Sequence, residues 1–379
     1  MSEVAQVKLD ELMRTVSVRG HQVQTSAYDD GIGYPIVDQG SDLTVGRTEQ
    51  VPPLEVGSPV TVFGDHTREV KYVDFPFVVG ADGTKVLVAK NGDDPIYFNS
   101  LIAMGAGRIA NLGYARHFKA LREQEVPYLA NQTEQRRIAA VLDAWDDAIA
   151  TAERLVAAKR RRFEAMRNML FARYDGRNMR FSELLTEAEA IPSNDPDPSK
   201  ITVRLRGGGA VPKAERTAAS GSTTYYRRRV GQLVYSKLDF LNGAFAILPP
   251  ELDGYCTTTD LPAFDIQPTV RPDWLLHYLT RPTYYRRRTD LARGQRIARR
   301  VNPSDFLASQ IIVPPIEQQD RVCECINELE GDLVRTDTLA QALRTQKRGL
   351  MQKLLTGEWR VPESIEHLVP EGVAKEAAE

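Results

Sequence analysis

Glu134-Gln135-Arg136-Arg137-Ile138 opens a stretch that Met166-Arg167-Asn168-Met169-Leu170 closes, and the chain carries this stretch twice. The second copy opens with Glu317-Gln318-Gln319-Asp320-Arg321-Val322 and closes with Met351-Gln352-Lys353-Leu354-Leu355. Val126-Pro127 precedes the first copy and Val313-Pro314-Pro315 the second. The run from Ile138 to Met166 is almost the same length as that from Val322 to Met351. A long-period repeat sets the architecture, so it is read before any local element.

Both copies carry an apolar stripe at helical spacing. In the first it runs through Ile138, Val141, Leu142, Trp145, Ile149, Ala152, Leu155, Val156, Phe163, Met166 and Leu170. In the second it runs through Val322, Ile326, Leu329, Leu333, Ala340, Leu343, Leu350 and Leu354. No Pro interrupts either, and a Pro ahead of each limits the helix on its N-terminal side. Gly176 and Gly357 stand just beyond the ends, where a left-handed cap is usual. A helix of about 40 residues is a rod of roughly 60 Å. One stripe cannot bury itself, so the spacing predicts a coiled-coil-like pair. Its core would be Ile138, Leu142, Trp145 and Ile149 against Val322, Ile326, Leu329, Leu333, Leu343 and Leu350. The other reading is two unrelated core helices.

The 379 residues suffice for two or more domains with real cores. No apolar run approaches the roughly 18 residues that would span a bilayer, so no membrane partner is expected. Met1-Ser2-Glu3-Val4-Ala5 lacks the basic start and apolar core of a secretory signal. Cys256, Cys323 and Cys325 are too few and too oddly placed for a disulfide framework or a zinc site, and a reducing cytoplasm is the expected compartment. The net charge of −2 argues against a nucleic-acid binder until its distribution is seen. Residues 1–126 hold 12 Lys+Arg against 17 Asp+Glu, a net of −5, whereas residues 176–312 hold 20 against 14, a net of +6. The second block is basic inside a neutral chain.

The fold class is α+β: two similar irregular blocks alternate with the two long helices. The expected divisions are a first domain at 1–130, a helix at 131–174, a second domain at 175–312, a helix at 313–357 and a loose tail at 358–379. Val7 to Leu12 reads as an entry strand or short helix, Val60-Thr61-Val62-Phe63 as a strand running into the turn Gly64-Asp65-His66-Thr67, and Asn99 to Met104 as the start of a helix. In the second block Val230 to Lys237 reads as turn, strand, turn, Gly243 to Leu248 as a strand, and Asp273 to Leu279 as a helix with Asp273 as its cap.

The sequence lacks the common catalytic motifs. Gly207-Gly208-Gly209 has no following Lys-Ser/Thr, so it reads as a turn and not a phosphate loop. None of the Pro-Pro pairs fits the catalytic tetrapeptide of an adenine methyltransferase. The histidines His21, His66, His117, His277 and His367 lack ligand spacing, and Asp65-His66 reads as a surface turn because no nucleophile accompanies it. The basic residues are more telling. Arg227-Arg228-Arg229 follows Tyr225-Tyr226, Arg286-Arg287-Arg288 follows Tyr284-Tyr285, and Arg293, Arg296, Arg299 and Arg300 come soon after. Arg forks grip phosphate oxygens and guanine edges, and Tyr packs or hydrogen-bonds beside them. Solvated faces or ion pairs within the domain are the competing reading.

The chain resembles the specificity subunit of a type I restriction–modification system. The likeness rests on the two Pro…Glu-Gln helix openings, on Gln346 to Gly357, on Gly231-Gln232-Leu233-Val234-Tyr235-Ser236-Lys237-Leu238-Asp239 with Asn242-Gly243-Ala244-Phe245, and on Gly64-Asp65-His66-Thr67 with Gly113 to Phe118. The resemblance implies two target-recognition domains, each reading one half of a split double-stranded DNA sequence. It implies antiparallel spacer helices in a pseudo-two-fold chain that acts as a ruler. It also implies two docked modification subunits that bind S-adenosylmethionine and methylate adenine at N6, with restriction subunits able to add ATP- and Mg-dependent translocation and cleavage. This chain itself would hold no cofactor, no metal and no catalytic residue. Candidate DNA contacts are Arg116, His117 and Lys119 in the first block. In the second they are Tyr225, Arg227, Arg228, Arg229, Lys237, Arg286, Arg287, Arg288, Arg293, Arg296, Arg299 and Arg300. The competing classes are a coiled-coil adaptor that binds protein, and an enzyme acting alone.

Overall fold

A computed structural model describes residues 4–29, 31–57, 59–110, 113, 115–172, 174–214, 223–294 and 299–364. The chain divides into two compact units, Met1–Arg154 with Asp337–Glu379, and Leu155–Thr336. Each long helix, Gln132–Leu170 and Ile316–Leu355, passes from one unit into the other.

In the discontinuous unit the strand Val4–Lys8 pairs antiparallel with Glu125–Leu129, Val4 opposite Leu129. The chain then makes a four-residue helix, Leu9–Leu12, whose two leucines are buried, and enters a sheet. That sheet runs in the order Met13–Thr15, Thr84–Ala89, Val60–Gly64, Val70–Val73. Helix Pro95–Arg108 starts at Asp94, whose carboxylate accepts the N–H groups of Ile96 and Tyr97. Its Tyr97, Phe98, Leu101 and Ile102 share one core with Leu9, Leu12, Phe63 and Leu87. The long helices add Ile138, Leu142, Leu354 and Leu355 to it.

The continuous unit repeats this order. Arg177–Arg180 pairs antiparallel with Gln310–Val313, and a four-residue helix, Phe181–Leu184, leads into a four-stranded sheet. Its order is Leu185–Glu187, Ala263–Ile266, Leu233–Tyr235, Phe245–Ile247. Helix Pro272–Leu279 follows the second of these. Here the core is aromatic: Tyr235 stacks on Phe264 with centroids 5.8 Å apart, and Phe181 packs on Phe306 at 4.5 Å.

One glutamine in each long helix ties these pieces together. Gln135 is fully buried; its Oε1 accepts the Asp94 N–H at 3.1 Å, and its Nε2 donates to the Leu129 carbonyl at 2.7 Å and to Asp93 Oδ1 at 2.8 Å. Gln319 is also fully buried; its Oε1 accepts the Arg271 N–H at 2.7 Å and its Nε2 donates to the Pro314 carbonyl at 2.9 Å. Asp94 and Arg271 occupy the same place, the N-cap of a Pro-started helix. Leu129 ends the strand before the first long helix, and Pro314 directly follows the strand Gln310–Val313 before the second.

The helices run 39 and 40 residues, about 60 Å each. In the discontinuous unit Lys347 meets Asp146 and Arg344 meets Glu153, both at 2.5 Å, and Arg360 bonds to Glu134. Numbers rise on one helix as they fall on the other, so the pairing there is antiparallel. In the continuous unit Lys159 Nζ donates to Asp332 at 2.8 Å and to Thr336 Oγ1 at 2.9 Å. Ion pairs this exposed contribute about 0–1 kcal/mol each, so the stripe carries the association. Ile138, Leu142, Ile149, Val322 and Ile326 are buried, while Trp145, Leu329, Leu333, Leu343 and Leu350 are half-buried.

Several sequence expectations need correction. Leu155 is 47% exposed: Val156 takes the inward place, and Lys159 continues the stripe with a polar reach. Gly176 lies several residues past the helix end with an ordinary φ and is not a cap; a Cβ there would stand 2.5 Å from the Val313 carbonyl oxygen. Gly357 does adopt φ +72°. Asp273 sits in the first turn of its helix, and the cap position is Arg271. The first long helix is capped by Asn131, whose Oδ1 accepts the Thr133 and Glu134 N–H groups. Much of the expected tail, 365–379, lies outside the described residues.

Candidate nucleic-acid interface

The first arginine triplet is sorted by the alternation of an extended chain. Tyr226–Arg227 pairs antiparallel with Cys256–Thr257, placing Arg227 opposite Cys256. Arg227 and Arg229 face solvent and Arg228 turns inward, 5% exposed. Its Nε donates to Thr257 Oγ1 at 2.7 Å and its guanidinium lies 5.7 Å from the Tyr226 ring. Burial lowers its pKa from the ordinary guanidinium value. Arg228 is therefore a structural arginine and not an outward phosphate contact. Arg229 sits 3.7 Å from Asp265, and Tyr225 lies 5.5 Å below Lys200 Nζ. Arg227 has no acidic partner among the described residues.

The second cluster is sorted by a short helix, Pro282–Tyr285. Tyr284 and Tyr285 belong to the core, 6% and 2% exposed, so they do not present rings to a ligand. Arg286 and Arg287 are exposed and lack acidic partners among the described residues; Arg288 is half-buried over the Tyr284 ring at 5.6 Å. Beside them stands Arg281, which the sequence pattern does not single out. It is 8% exposed, with its guanidinium 4.4 Å from the Phe171 ring and 4.5 Å from the Tyr278 ring. Its Nε donates to the Tyr278 carbonyl at 3.2 Å. Burial, the dominant cause, lowers its pKa from the ordinary guanidinium value. A cavity of about 460 Å³ opens here, bounded in part by Asn168, Tyr278, Arg281, Thr283, Arg287 and Arg288.

The remaining candidates divide similarly. Arg293 pairs with Asp305 at 3.1 Å and Arg300 with Asp260 at 3.4 Å, which offsets their charge. Arg299 is exposed, Lys237 is half-buried, and Arg296 lies outside the described residues. In the discontinuous unit Arg116 and Lys119 are exposed, but His117 is 1% exposed. Its backbone N–H donates to the Asp65 carbonyl at 2.8 Å, its Nδ1 sits 2.9 Å from the same oxygen, and Asp65 Oδ1 accepts the Phe118 N–H at 2.7 Å. His117 is therefore an internal clamp whose ring is not presented at the surface. Asp65 Oδ1 belongs to this clamp, and the neighbouring His66 Nδ1 sits 3.2 Å from the Ala115 carbonyl oxygen. Arg47, Arg68 and Arg108 donate to the carbonyls of Gly33, Ile109 and Glu125.

Burial of the tyrosines and of Arg228 was hidden because a Tyr-Tyr-Arg-Arg-Arg string looks the same on a surface and at a sheet edge. The signal for Arg281 was its place between an apolar helix and Pro282, where a side chain is drawn back onto the core.

Among the described residues no helix is long and apolar enough to cross a membrane, and no group of three or more His, Cys, Asp or Glu side chains could hold a metal ion. No protein-family model and no curated protein sequence matches the chain. Solved structures do. The chain is similar to the S subunit of a type I restriction–modification system from M. genitalium, with TM-score 0.55 and 12% identity over 93% of this chain and 96% of that one. It is similar also to a chain from a structure on the assembly and conformational transition of the type I R-M system, with TM-score 0.56 and 15% identity over 94% and 98%. The chain carries this fold along nearly its whole length.

Proposed function

We propose that the chain is the DNA sequence-recognition subunit of a type I restriction–modification complex. The observation that carries this is the duplicated plan (strand pair, four-residue helix, four-stranded sheet, glutamine-tied long helix) within a fold similar, over nearly its whole length, to a type I S subunit and to a chain of a type I R-M assembly. Residues 1–130 and 175–312 are two target-recognition domains, the helices at 131–174 and 313–357 are a spacer, and 358–379 is a tail. The two halves repeat one plan in sequence order.

A repeat protein of this kind reads two half-sites. Its two domains differ in sequence, so the half-sites differ as well. A helix of about 60 Å exceeds the 34–36 Å of one B-DNA turn, which suits a target split into two major-groove segments. Arg227, Arg286, Arg287 and Arg299 supply phosphate or base contacts in the second domain, and Arg116 and Lys119 do so in the first. Adenine must leave the duplex to be methylated. That chemistry belongs to two modification subunits carrying S-adenosylmethionine, and ATP and Mg belong to restriction subunits. This chain positions them and contributes no catalytic group.

The test is a methylome. The chain is co-expressed with its neighbouring modification subunit in a methylation-free host, and N6-methyladenine is mapped. A two-part motif with a fixed gap, one half of which changes when residues 175–312 are exchanged, is the expected outcome. No motif, with the modification subunit shown active on another specificity chain, would shift the assignment to a protein-binding adaptor.

A further inference from the structure

The cavity beside Arg281 has a composition that the fold alone does not require. Arg281, Arg287 and Arg288 all border it, and none of its bordering residues is acidic. Arg281 is more than nine-tenths buried, yet no carboxylate pairs with it among the described residues. Arg167, on the first long helix, is already engaged by Glu164 at 2.7 Å. Two aromatic faces hold the Arg281 guanidinium in place. They leave its forked donors fixed in orientation and only partly compensated in charge. A buried cation without a counter-charge is costly unless an anion completes it. Thr283 and Asn168, joined by a 3.2 Å hydrogen bond, add neutral polar groups at the same rim.

We infer that this cavity seats a phosphoryl group, gripped by Arg281 from within and by Arg287 and Arg288 from the rim. A planar guanidinium fork matches two phosphoryl oxygens at once. The tetrahedral anion takes up only part of the volume, which leaves room for the adjoining part of its carrier. The carrier is either the backbone of bound duplex DNA, which rests on the function proposed above, or a free phosphate or mononucleotide.

The experiment uses the full chain and two variants. Arg287→Ala alters an exposed side chain and leaves the core intact; Arg281→Gln removes the buried charge. Melting temperature is followed against inorganic phosphate, with sodium chloride at equal ionic strength as reference. Affinity for a non-specific 30-base-pair duplex is measured across salt. Phosphate raises the melting temperature of the wild type beyond the chloride reference, and the rise shrinks in both variants. If the carrier is DNA, the slope of log affinity against log salt also becomes shallower by about 0.9, because one fewer backbone phosphate is neutralised. A phosphate-specific rise with an unchanged slope assigns the seat to a free phosphate or mononucleotide. No phosphate-specific rise in the wild type, together with unchanged slopes in both variants, overturns the inference. A wild type that does not bind duplex at all would overturn the proposed function, and the phosphate arm would still judge the cavity.

Discussion

Gln135 Oε1 accepts the backbone N–H of Asp94 at 3.1 Å. Asp94 is the N-cap of helix Pro95–Arg108, so the long helix directly fixes where the domain helix begins. The same glutamine donates to the last carbonyl of strand Glu125–Leu129, and three elements meet on one side chain. Gln319 performs the equivalent service for Arg271 and Pro314.

Truncating this side chain orphans the part-buried Asp94 N–H and the buried Leu129 carbonyl. Each unmet group costs about 1–3 kcal/mol, so Gln135→Ala is expected to lose about 2–4 kcal/mol in urea unfolding. Gln319→Ala should act alike. A loss under about 0.5 kcal/mol in either would mean that the clamp carries no stability.

The stripe makes a sharper contrast between two leucines of one helix. Leu142 is fully buried and Leu155 is 47% exposed. Leu142→Ala is expected to cost about 2–5 kcal/mol, and Leu155→Ala to stay within about 0.5 kcal/mol. Equal losses by thermal or urea melts would refute the assigned helix face.

Two neighbouring arginines should separate function from folding. Arg227→Ala should weaken duplex binding and lower the salt slope by about 0.9 with little change in melting temperature. Arg228→Ala strips the donor from buried Thr257 and the cation from Tyr226, so it should lower stability by about 1–3 kcal/mol. Filter binding and unfolding on the same preparations check both. Reversed behaviour would mean that the strand faces are assigned backwards.

Thiol chemistry probes the second long helix. Burial pushes the Cys323 thiol up to about 11, and the residue is 6% exposed. At pH 8 it should remain a protonated, inert thiol, while half-buried Cys325 reacts with a disulfide reagent in the folded chain. Mass spectrometry after brief labelling reads this out. Labelling of Cys323 at the rate of Cys325 would contradict its burial.

His277 gives a pH dependence. Burial lowers its pKa from the ordinary histidine value, which outweighs the opposing pulls of Glu330 and Asn327. The unfolded chain then binds the proton more readily than the folded one, so the stability present above about pH 6.5 is lost as pH falls through the depressed folded value. Melting temperature should drop from pH 7 to pH 5, and the drop should be smaller in His277→Gln. An equal drop in both would assign the acid sensitivity elsewhere.

The repeat, the long helices and the strand segments around Val60 and Leu233 were legible because period and Pro/Gly punctuation are local properties. Register was less so. Matching Glu134-Gln135 with Glu317-Gln318 by eye pairs Gln135 with Gln318, but the buried equivalent is Gln319, one residue on. Only the partners, Asp94 and Arg271, reveal that shift, and they are distant in sequence. The candidate interface was legible in its charge and illegible in its facing. Of two strings rich in arginine, Arg228 serves the interior, Arg229 and Arg293 serve carboxylates, and Arg227, Arg286 and Arg287 remain open. Tertiary neighbours decide such sorting, and they leave no mark on adjacent residues.

The discontinuous unit has a consequence for synthesis on the ribosome. Ile138 and Leu142 share a core with Leu354 and Leu355, which emerge some two hundred residues later. The continuous unit, Leu155–Thr336, is complete before those leucines are made. Its sheet can therefore close while the earlier-made segment still waits with an open apolar flank. Nascent chains stalled short of Leu354 should recruit holding chaperones through that first segment, although it left the ribosome first.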